Sequence, residues 1–428
     1  MKEFLCPNIL IISNRVISET DNNGKTVYSF IKDIPVQYIS QLFFYENIPQ
    51  IKGYNYFQLA DKDVLLGKFD KSKRGRKIYA DPNAIEDATI QQKYKLKRNN
   101  LTLLIREAIW RKGWKSKQLD EWLDKIKPQV ILFVAGDCLF AYEICEYVLL
   151  KYNSKLLTFL TDDYIMHRKN ESFLGKYRRN KIKKNLCSAI DRSNSYFTIS
   201  QKMESEYERI FHKKSTIIFN FSGSMKLNIG LPKRTDNKYK LIYAGGLEYG
   251  RDEVLVELAK VIRRYNDERI MEKEILLEVY TNTRPENEFI KALQKTRGAI
   301  YNGRLTSDQL KIKLNISDML VVVESFKPNQ MEMTKLSFST KIPEYLSTEK
   351  PILAIGPDGI GSMDFLDGIS IRIKDIEDLY SDFKKSFLNK DIMEKIQSSS
   401  VDVYKELKSL ADIGKGIIIN ELTNGVIE

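Results

Sequence analysis

From residue 240 onward the chain alternates strand-like and helix-like segments almost without interruption: KLIYAG, RDEVLVELAKVIRRYN, ILLEVYTN, ENEFIKALQKT, AIYNG, TSDQLKIKLNIS and DMLVVVE. Short β-branched runs are each followed by a stretch whose apolar residues recur at helical spacing. Repeated βα units lay successive strands parallel and side by side, with helices on both faces of the sheet. The spacing therefore predicts a Rossmann-like domain in the second half.

The first half repeats this grammar more loosely, with strands NILIISN, VQYISQLFF, VILFVAG, KLLTFL, SYFTIS and STIIFN and helical patterns LFAYEICEYVLLKY and QKMESEYERIFH. Between the halves, FSGSMKLNIGLPKRTDNK is rich in Gly, Ser, Asn and Pro and reads as a linker. A chain of 428 residues suits two domains of about 200 residues each. The expected organisation is α/β: a Rossmann-like domain over 1–222, a linker over 223–238, a facing Rossmann-like domain over 239–412, and a closing helix over 413–428 that crosses back to the first domain.

Four cysteines, Cys6, Cys138, Cys145 and Cys187, lie far apart, and His167 and His212 are the only histidines. That pattern fits a reducing cytosol and offers no metal-type grouping. The opening MKEFLCPNILIISN lacks a signal-peptide pattern, because Pro7 and Asn8 interrupt its apolar run. No apolar run approaches the roughly 20 residues of a spanning helix, so any membrane contact is expected to be peripheral.

The net charge is +12. Residues 68–117 hold 15 Lys/Arg against 5 Asp/Glu, and residues 168–184 hold 8 against 1, so the remainder of the chain is net −5. The segment LTLLIREAIWRKGWKSKQLDEWL sets Trp110 and Trp114 among Arg106, Arg111, Lys112, Lys115 and Lys117. Interfacial tryptophan with basic residues suits an anionic membrane surface, each cation adding up to about 1 kcal/mol; a partly buried amphipathic helix with a solvated basic face is the alternative. A nucleic-acid-binding protein would also be basic, but no RNA- or DNA-binding motif and no aromatic stacking platform occurs.

Open α/β sheets bind ligands beyond the carboxyl ends of their strands. In YAGGLEYGRDE, Gly245 and Gly246 end a strand and Arg251 opens a helix. Glycines admit phosphate close to the backbone, and a guanidinium can bridge two phosphate oxygens; a plain tight turn is the alternative. In SFSTKIPEYLSTEKPILAIG, Ser337, Ser339 and Thr340 precede a helix that turns Ile342, Tyr345 and Leu346 to the core and Glu344 the opposite way. Hydroxyls and free N–H groups there make an anion site, and the Glu344 carboxylate one turn on suits the vicinal hydroxyls of a ribose. NNGKT mimics a P-loop tail, but Walker A needs glycine where Glu19 stands.

YAGGLEYGR, then ISDMLVVVESF, then LSFSTKIPEYLSTEKPILAIGP resemble the donor domain of GT-B glycosyltransferases, in particular family 4-like enzymes of bacterial surface and capsular polysaccharide synthesis. The resemblance spans about residues 238–370 and continues more weakly upstream. It implies an acceptor-binding first domain and a second domain that binds a nucleotide-diphosphate sugar without metal or other cofactor. Arg251 with Gly246 would contact the diphosphate, Thr340 and Lys341 would complete the anion site, and Glu344 would bind the ribose. Family members often carry a second glutamate eight positions before the ribose glutamate; this chain does not, leaving Glu324, Ser325 and Lys335 as candidates for the sugar-ring contact.

In the first domain the resemblance puts Gly24 and Thr26 in a loop facing the cleft, and TDDY where relatives often carry a cleft histidine. Asp162 or Asp163 at that strand end would orient or deprotonate an acceptor hydroxyl, unless it merely caps the next helix. Gly136 and Asp137 would stand beside the same cleft. The implied activity is transfer of a hexose-type sugar to a glycan acceptor, possessing in family analogy a polyprenyl-diphosphate anchor at the inner face of the cell membrane. Family analogy leans to retention of configuration, whereas a carboxylate base at Asp162 suits inversion. A GT-B-shaped sugar-nucleotide epimerase would need no acceptor, and an inactive subunit would bind nucleotide and transfer nothing.

Overall fold

The computed structural model describes residues 6–19, 22–82, 99–219, 224–227, 230–231, 236–388 and 390–424. The chain divides into two compact units, Met1–Ile218 with Asp412–Glu428, and Phe219–Ala411.

The first unit is built on an eight-stranded sheet, β1 (Ile9–Ser13), β2 (Ile39–Phe43), β3 (Asn55–Gln58), β4 (Arg76–Ile78), β5 (Val130–Ala135), β6 (Lys155–Leu160), β7 (Ser195–Thr198) and β8 (Thr216–Ile217). Their spatial order is β4-β3-β2-β1-β5-β6-β7-β8. All pairings are parallel except β3 with β4. The second unit has six parallel strands, β9 (Lys238–Ala244), β10 (Glu274–Tyr280), β11 (Ala299–Tyr301), β12 (Met319–Val323), β13 (Ile352–Ile355) and β14 (Ile371–Ile373), ordered β11-β10-β9-β12-β13-β14.

Alternation along the strands divides the second core in two. Leu241, Leu277, Val321 and Leu353 pack on one face with the helix Arg251–Asp267, and Ile242, Leu320, Val322 and Ala354 pack on the other with the helix Lys341–Leu346. Both faces are apolar because a parallel sheet is covered on both sides. In each sheet the chain order reverses beside the first strand of its unit, between β1 and β5 and between β9 and β12. A doubly wound sheet opens its crevice at such a point.

The βα alternation predicted from residue 240 is present, and both units are Rossmann-like. The short strands β3, β4 and β14 escape sequence patterning, and STIIFN contributes only Thr216–Ile217. Parts of the linker stretch, 220–223, 228–229 and 232–235, lie outside the described residues. Its described portion is tied to the second unit, the Met225 N–H donating to Ser347 Oγ (2.8 Å) and the Leu227 N–H to Asn315 Oδ1 (2.9 Å).

Two expectations are corrected here. Gly24 and Thr26 belong to the helix Asn22–Ile31 rather than a loop, and both are buried. A Cβ on Gly24 would meet Ser18 N at 2.8 Å and Val16 O at 3.0 Å, so glycine lets this helix lie against the backbone that follows β1. Trp110 and Trp114 are buried too. The Trp110 indole stacks on Phe140 with ring centroids 3.6 Å apart, and its N–H donates to Asp61 (2.6 Å). Neither tryptophan can reach a membrane.

Gly24→Ala should lower stability by about 1–3 kcal/mol in denaturant unfolding, because the clash is with backbone. At an uncrowded helical site the same change would be neutral or stabilising, and that outcome would show that no close approach exists.

Candidate functional site

In the second unit, β9 and β12 are neighbours across the reversal point, and the residues that leave their carboxyl ends meet. The Tyr243 hydroxyl donates to the Gly246 carbonyl, and the Gly245 N–H donates to Tyr280 O (3.1 Å), fixing the glycine turn. A Cβ on Gly245 would lie 2.8 Å from the Tyr243 hydroxyl. Gly250, at φ +73°, caps the helix Arg251–Asp267, and a Cβ there would lie 2.7 Å from Ser325 Oγ. A left-handed cap against a neighbouring loop requires glycine.

Arg251 opens that helix and donates through Nη2 to Glu324 Oε1 at 2.7 Å. Glu324 is 2 % exposed, and its other oxygen, Oε2, is buried without a hydrogen-bond partner. Burial alone would lower the Arg251 pKa, but the Glu324 carboxylate outweighs it and holds the guanidinium as a cation. The first turn also carries Asp252 and Glu253, which the helix dipole favours; Lys327 neutralises Glu253 at 2.6 Å. Arg251 is thus the buried cation of this helix start, paired with Glu324, while Lys327 serves Glu253.

The Ala244 N–H donates to the Tyr345 hydroxyl at 2.9 Å, which brings the short helix Lys341–Leu346 to the end of β9 beside Gly245. The expected outward face of this helix does not exist. Ile342 to Leu346 are all buried, Glu344 included, because the helix is enclosed on every side. The Glu344 carboxylate pairs with Lys341 Nζ at 2.9 Å. The expected anion site is also altered. Ser339 N–H donates to Ser362 Oγ (2.9 Å), Lys341 N–H to Ser339 Oγ (3.4 Å) and Ile342 N–H to Ser339 O (3.1 Å), while the Thr340 side chain makes no cap. Ser339 and Lys341 are therefore internally engaged, and only Thr340 of the three shows no such bond among the described residues.

In the first unit, Asn14, Asp137 and Asp162 follow β1, β5 and β6, three adjacent strands. A Cβ on Gly136 would lie 2.4 Å from Asn14 Nδ2, so the two loops touch. Burial pushes the Asp162 carboxyl up to about 6, with Asp163 and Asp137 adding and the Asp163 N–H and Arg168 opposing. Asp163 is held as a loop cap: its Oδ1 accepts from Ile165 N–H and Met166 N–H, each at 3.1 Å, and from the Tyr207 hydroxyl at 2.8 Å, so Asp162 is the freer of the two carboxylates. Asp137 is anchored by Arg178, whose Nη2 lies 3.6 Å from Asp137 Oδ2, 3.4 Å from Glu107 Oε1, and hydrogen-bonded to the Asp137 carbonyl. His167 is exposed.

Asn14, Arg178 and Glu107 were not singled out from sequence. For Arg178 a signal existed: Gly175, Arg178, Arg179, Ile182 and Leu186 share one helical stripe and all are buried. Among the described residues no group of three or more His, Cys, Asp or Glu is placed to hold a metal ion, and no helix is long and apolar enough to cross a membrane.

No family model and no curated protein matches the sequence. Solved structures do match over nearly its whole length. An α,α-trehalose-phosphate synthase (UDP-forming) from Burkholderia xenovorans, in complex with glucose-6-phosphate, is 12 % identical, covers 97 % of this chain and 99 % of its own, and has a TM-score of 0.60. A glycosyltransferase from Rickettsia africae is 13 % identical, with coverages of 98 % and 99 % and a TM-score of 0.58. Anabaena HepE in complex with UDP is 9 % identical, with coverages of 96 % and 98 % and a TM-score of 0.59. At such identities the likeness speaks for the fold, and the fold is GT-B.

The raised Asp162 carboxyl makes a stability prediction. A carboxyl whose folded pKa lies near 6 instead of 3.8 penalises the folded state above that pH and ceases to do so once both states are protonated. Asp162→Asn should therefore stabilise the protein at pH 8, by at most about 3 kcal/mol, and the gain should vanish below about pH 4. Thermal melts across pH check this; a gain that is equal at all pH values would mean the carboxylate is not desolvated.

Proposed function

We propose that the chain is a glycosyltransferase moving a sugar from a nucleotide-diphosphate sugar to a hydroxyl of a glycan acceptor. The observation that carries this is the Arg251–Glu324 pair at the β9/β12 reversal point, a fixed cation with one carboxylate oxygen left open beside it. A buried ion pair contributes little net stability, and leaving a second oxygen unsatisfied costs more. Such an arrangement is explained by a ligand that supplies the missing donor. Neighbours of the same fold hold UDP and glucose-6-phosphate, which supports a nucleotide sugar and a sugar acceptor here.

In this scheme Arg251 faces the diphosphate and offsets the charge that accumulates as the bond from the anomeric carbon to phosphate oxygen breaks. The guanidinium supplies this charge without a metal. Glu324 orients Arg251 and offers Oε2 to a donor hydroxyl. Lys341, exchanging its contact from Glu344 to phosphate, frees the Glu344 carboxylate for the ribose. In the first unit Asp162 accepts the proton of the acceptor hydroxyl as the new C–O bond forms, with Asp137 beside it; direct displacement with such a base inverts configuration. A lipid-linked acceptor and a role in bacterial surface polysaccharide synthesis extend the same scheme to a cytoplasmic protein working at the membrane.

Calorimetry with UDP-, GDP- and dTDP-sugars, followed by product analysis with and without acceptor, tests the proposal. One nucleotide sugar should bind selectively and yield a product only with acceptor. No binding by any of them would overturn the proposal, and conversion without acceptor would indicate an epimerase.

For the donor site, Arg251→Gln should lose nucleotide binding and also destabilise the fold by about 3 kcal/mol, since it strands a buried carboxylate. The double variant Arg251→Gln/Glu324→Gln should recover the melting temperature but not the binding. Recovery of both would make the pair purely structural. Glu344→Ala should weaken binding more than tenfold, or about 1.4 kcal/mol, and unchanged affinity would leave Glu344 only as the partner of Lys341.

A further inference from the structure

The helices Asn100–Trp110 and Phe173–Arg192 start side by side, with Asn100 Nδ2 donating to Ser172 Oγ at 3.1 Å. A Cβ on Gly175 would lie 2.8 Å from the same Asn100 amide, so the two first turns are in contact. Their outer faces are apolar where a solvated helix would be polar. Phe173 is 81 % exposed, Leu101 56 %, Ile105 52 %, Tyr177 45 % and Leu174 38 %. Single exposed apolar residues are ordinary, but five around one junction mark an interaction surface.

The charge around this patch identifies its occupant. Although residues 168–184 carry eight basic residues, Arg178 and Arg179 turn inward to Glu107, Asp137 and Glu171. Lys176, Lys181 and Lys184 continue the outer face and are exposed, with Lys181 Nζ 4.6 Å from the Tyr177 ring centroid. The helix contains one acid, Asp191, in its last turn, and Glu107 of the other helix is committed to Arg178. Among the described residues the surface is therefore aromatic and aliphatic at one end and lysine-rich along its length, and neither helix brings an uncommitted acid to it before Asp191. Protein interfaces are depleted in lysine, whereas bilayer interfaces favour apolar side chains flanked by it.

We infer that the joined outer faces of these two helices, carrying Leu101, Ile105, Phe173, Leu174 and Tyr177 with Lys176, Lys181 and Lys184, dock the protein on an anionic lipid bilayer. This surface replaces the one expected around Trp110 and Trp114, and it stands whether or not the chain transfers sugar. The apolar side chains enter the headgroup boundary while the lysines meet anionic headgroups, so binding requires both.

Flotation of the full chain with vesicles tests the inference, using phosphatidylcholine alone and phosphatidylcholine with roughly one third phosphatidylglycerol. The protein should float with the anionic vesicles and be released by high salt. Phe173→Ser/Leu174→Ser should reduce binding about tenfold or more, and Lys176→Gln/Lys181→Gln/Lys184→Gln should abolish the preference for anionic lipid. These side chains are exposed, so matching melting curves keep the comparison valid. Failure of the unaltered protein to float with either vesicle, or undiminished flotation of both variants, would overturn the inference. So would a concentration-dependent dimer that Phe173→Ser/Leu174→Ser dissociates, in a protein that does not float, since the patch would then be a contact between copies.

Discussion

A parallel sheet covered on both faces leaves polar chemistry almost nowhere to go except the ends of its strands. In the second unit, Leu241, Ile242, Leu320 and Val321 are fully buried in mid-strand, and the neighbouring helices seal both sides. A side chain with charge to deploy must therefore follow a strand, and the widest place is where neighbouring crossovers run in opposite directions. Arg251 and Glu324 stand at that place, and in the first unit Asn14 and Asp137 stand at its counterpart, with Asp162 one strand further on. The arrangement of potential chemistry follows from the ladder order more than from any local motif.

Burying those groups has a thermodynamic cost that the fold does not hide. Glu324 satisfies only one of its oxygens, and the Asp162 carboxyl is shifted toward neutrality by desolvation. Asp163 shows the contrast: a neighbouring carboxylate in the same turn, it accepts two backbone N–H groups and a tyrosine hydroxyl and has the character of a structural cap. Two adjacent aspartates thus separate into a loop cap and a desolvated carboxyl. Unsatisfied or neutralised groups placed at a crevice are the ones whose energy a ligand can recover.

Periodicity made most of the second unit legible, because strands such as DMLVVVE and helices such as RDEVLVELAKVIRRYN carry their burial pattern in their own residues. It failed where burial depends on distant chain. The helix Lys341–Leu346 looks amphipathic over its six residues, yet Tyr345 anchors it to Ala244, about a hundred residues earlier, and enclosure leaves Glu344 no outer face. Glu324 could be placed at a strand end, but its partner Arg251 lies 73 residues away, and only the β9–β12 pairing brings them together. Trp110 and its flanking cations resemble an interfacial helix in isolation; Phe140 and Asp61, from separate segments, turn the indole inward.

Charge shows the same limit from the other side. A run such as KYRRNKIKK gives a large local sum, but a sum has no direction. Arg178 and Arg179 fall on the stripe of Gly175, Ile182 and Leu186 and are drawn inside, Arg178 by Glu107 and by Asp137 in the loop after β5 and Arg179 by Glu171 just before the helix, so their charge organises these loops rather than the surface. Lys176, Lys181 and Lys184 fall on the opposite stripe with Phe173 and Tyr177. One helix thereby does two separate electrostatic tasks with cations two or three residues apart: the inward pair holds neighbouring loops, and the outward set meets whatever approaches that face. Ile182, Leu186 and Ile190 continue the inward stripe into the core, so the body of the helix separates the two sets of cations.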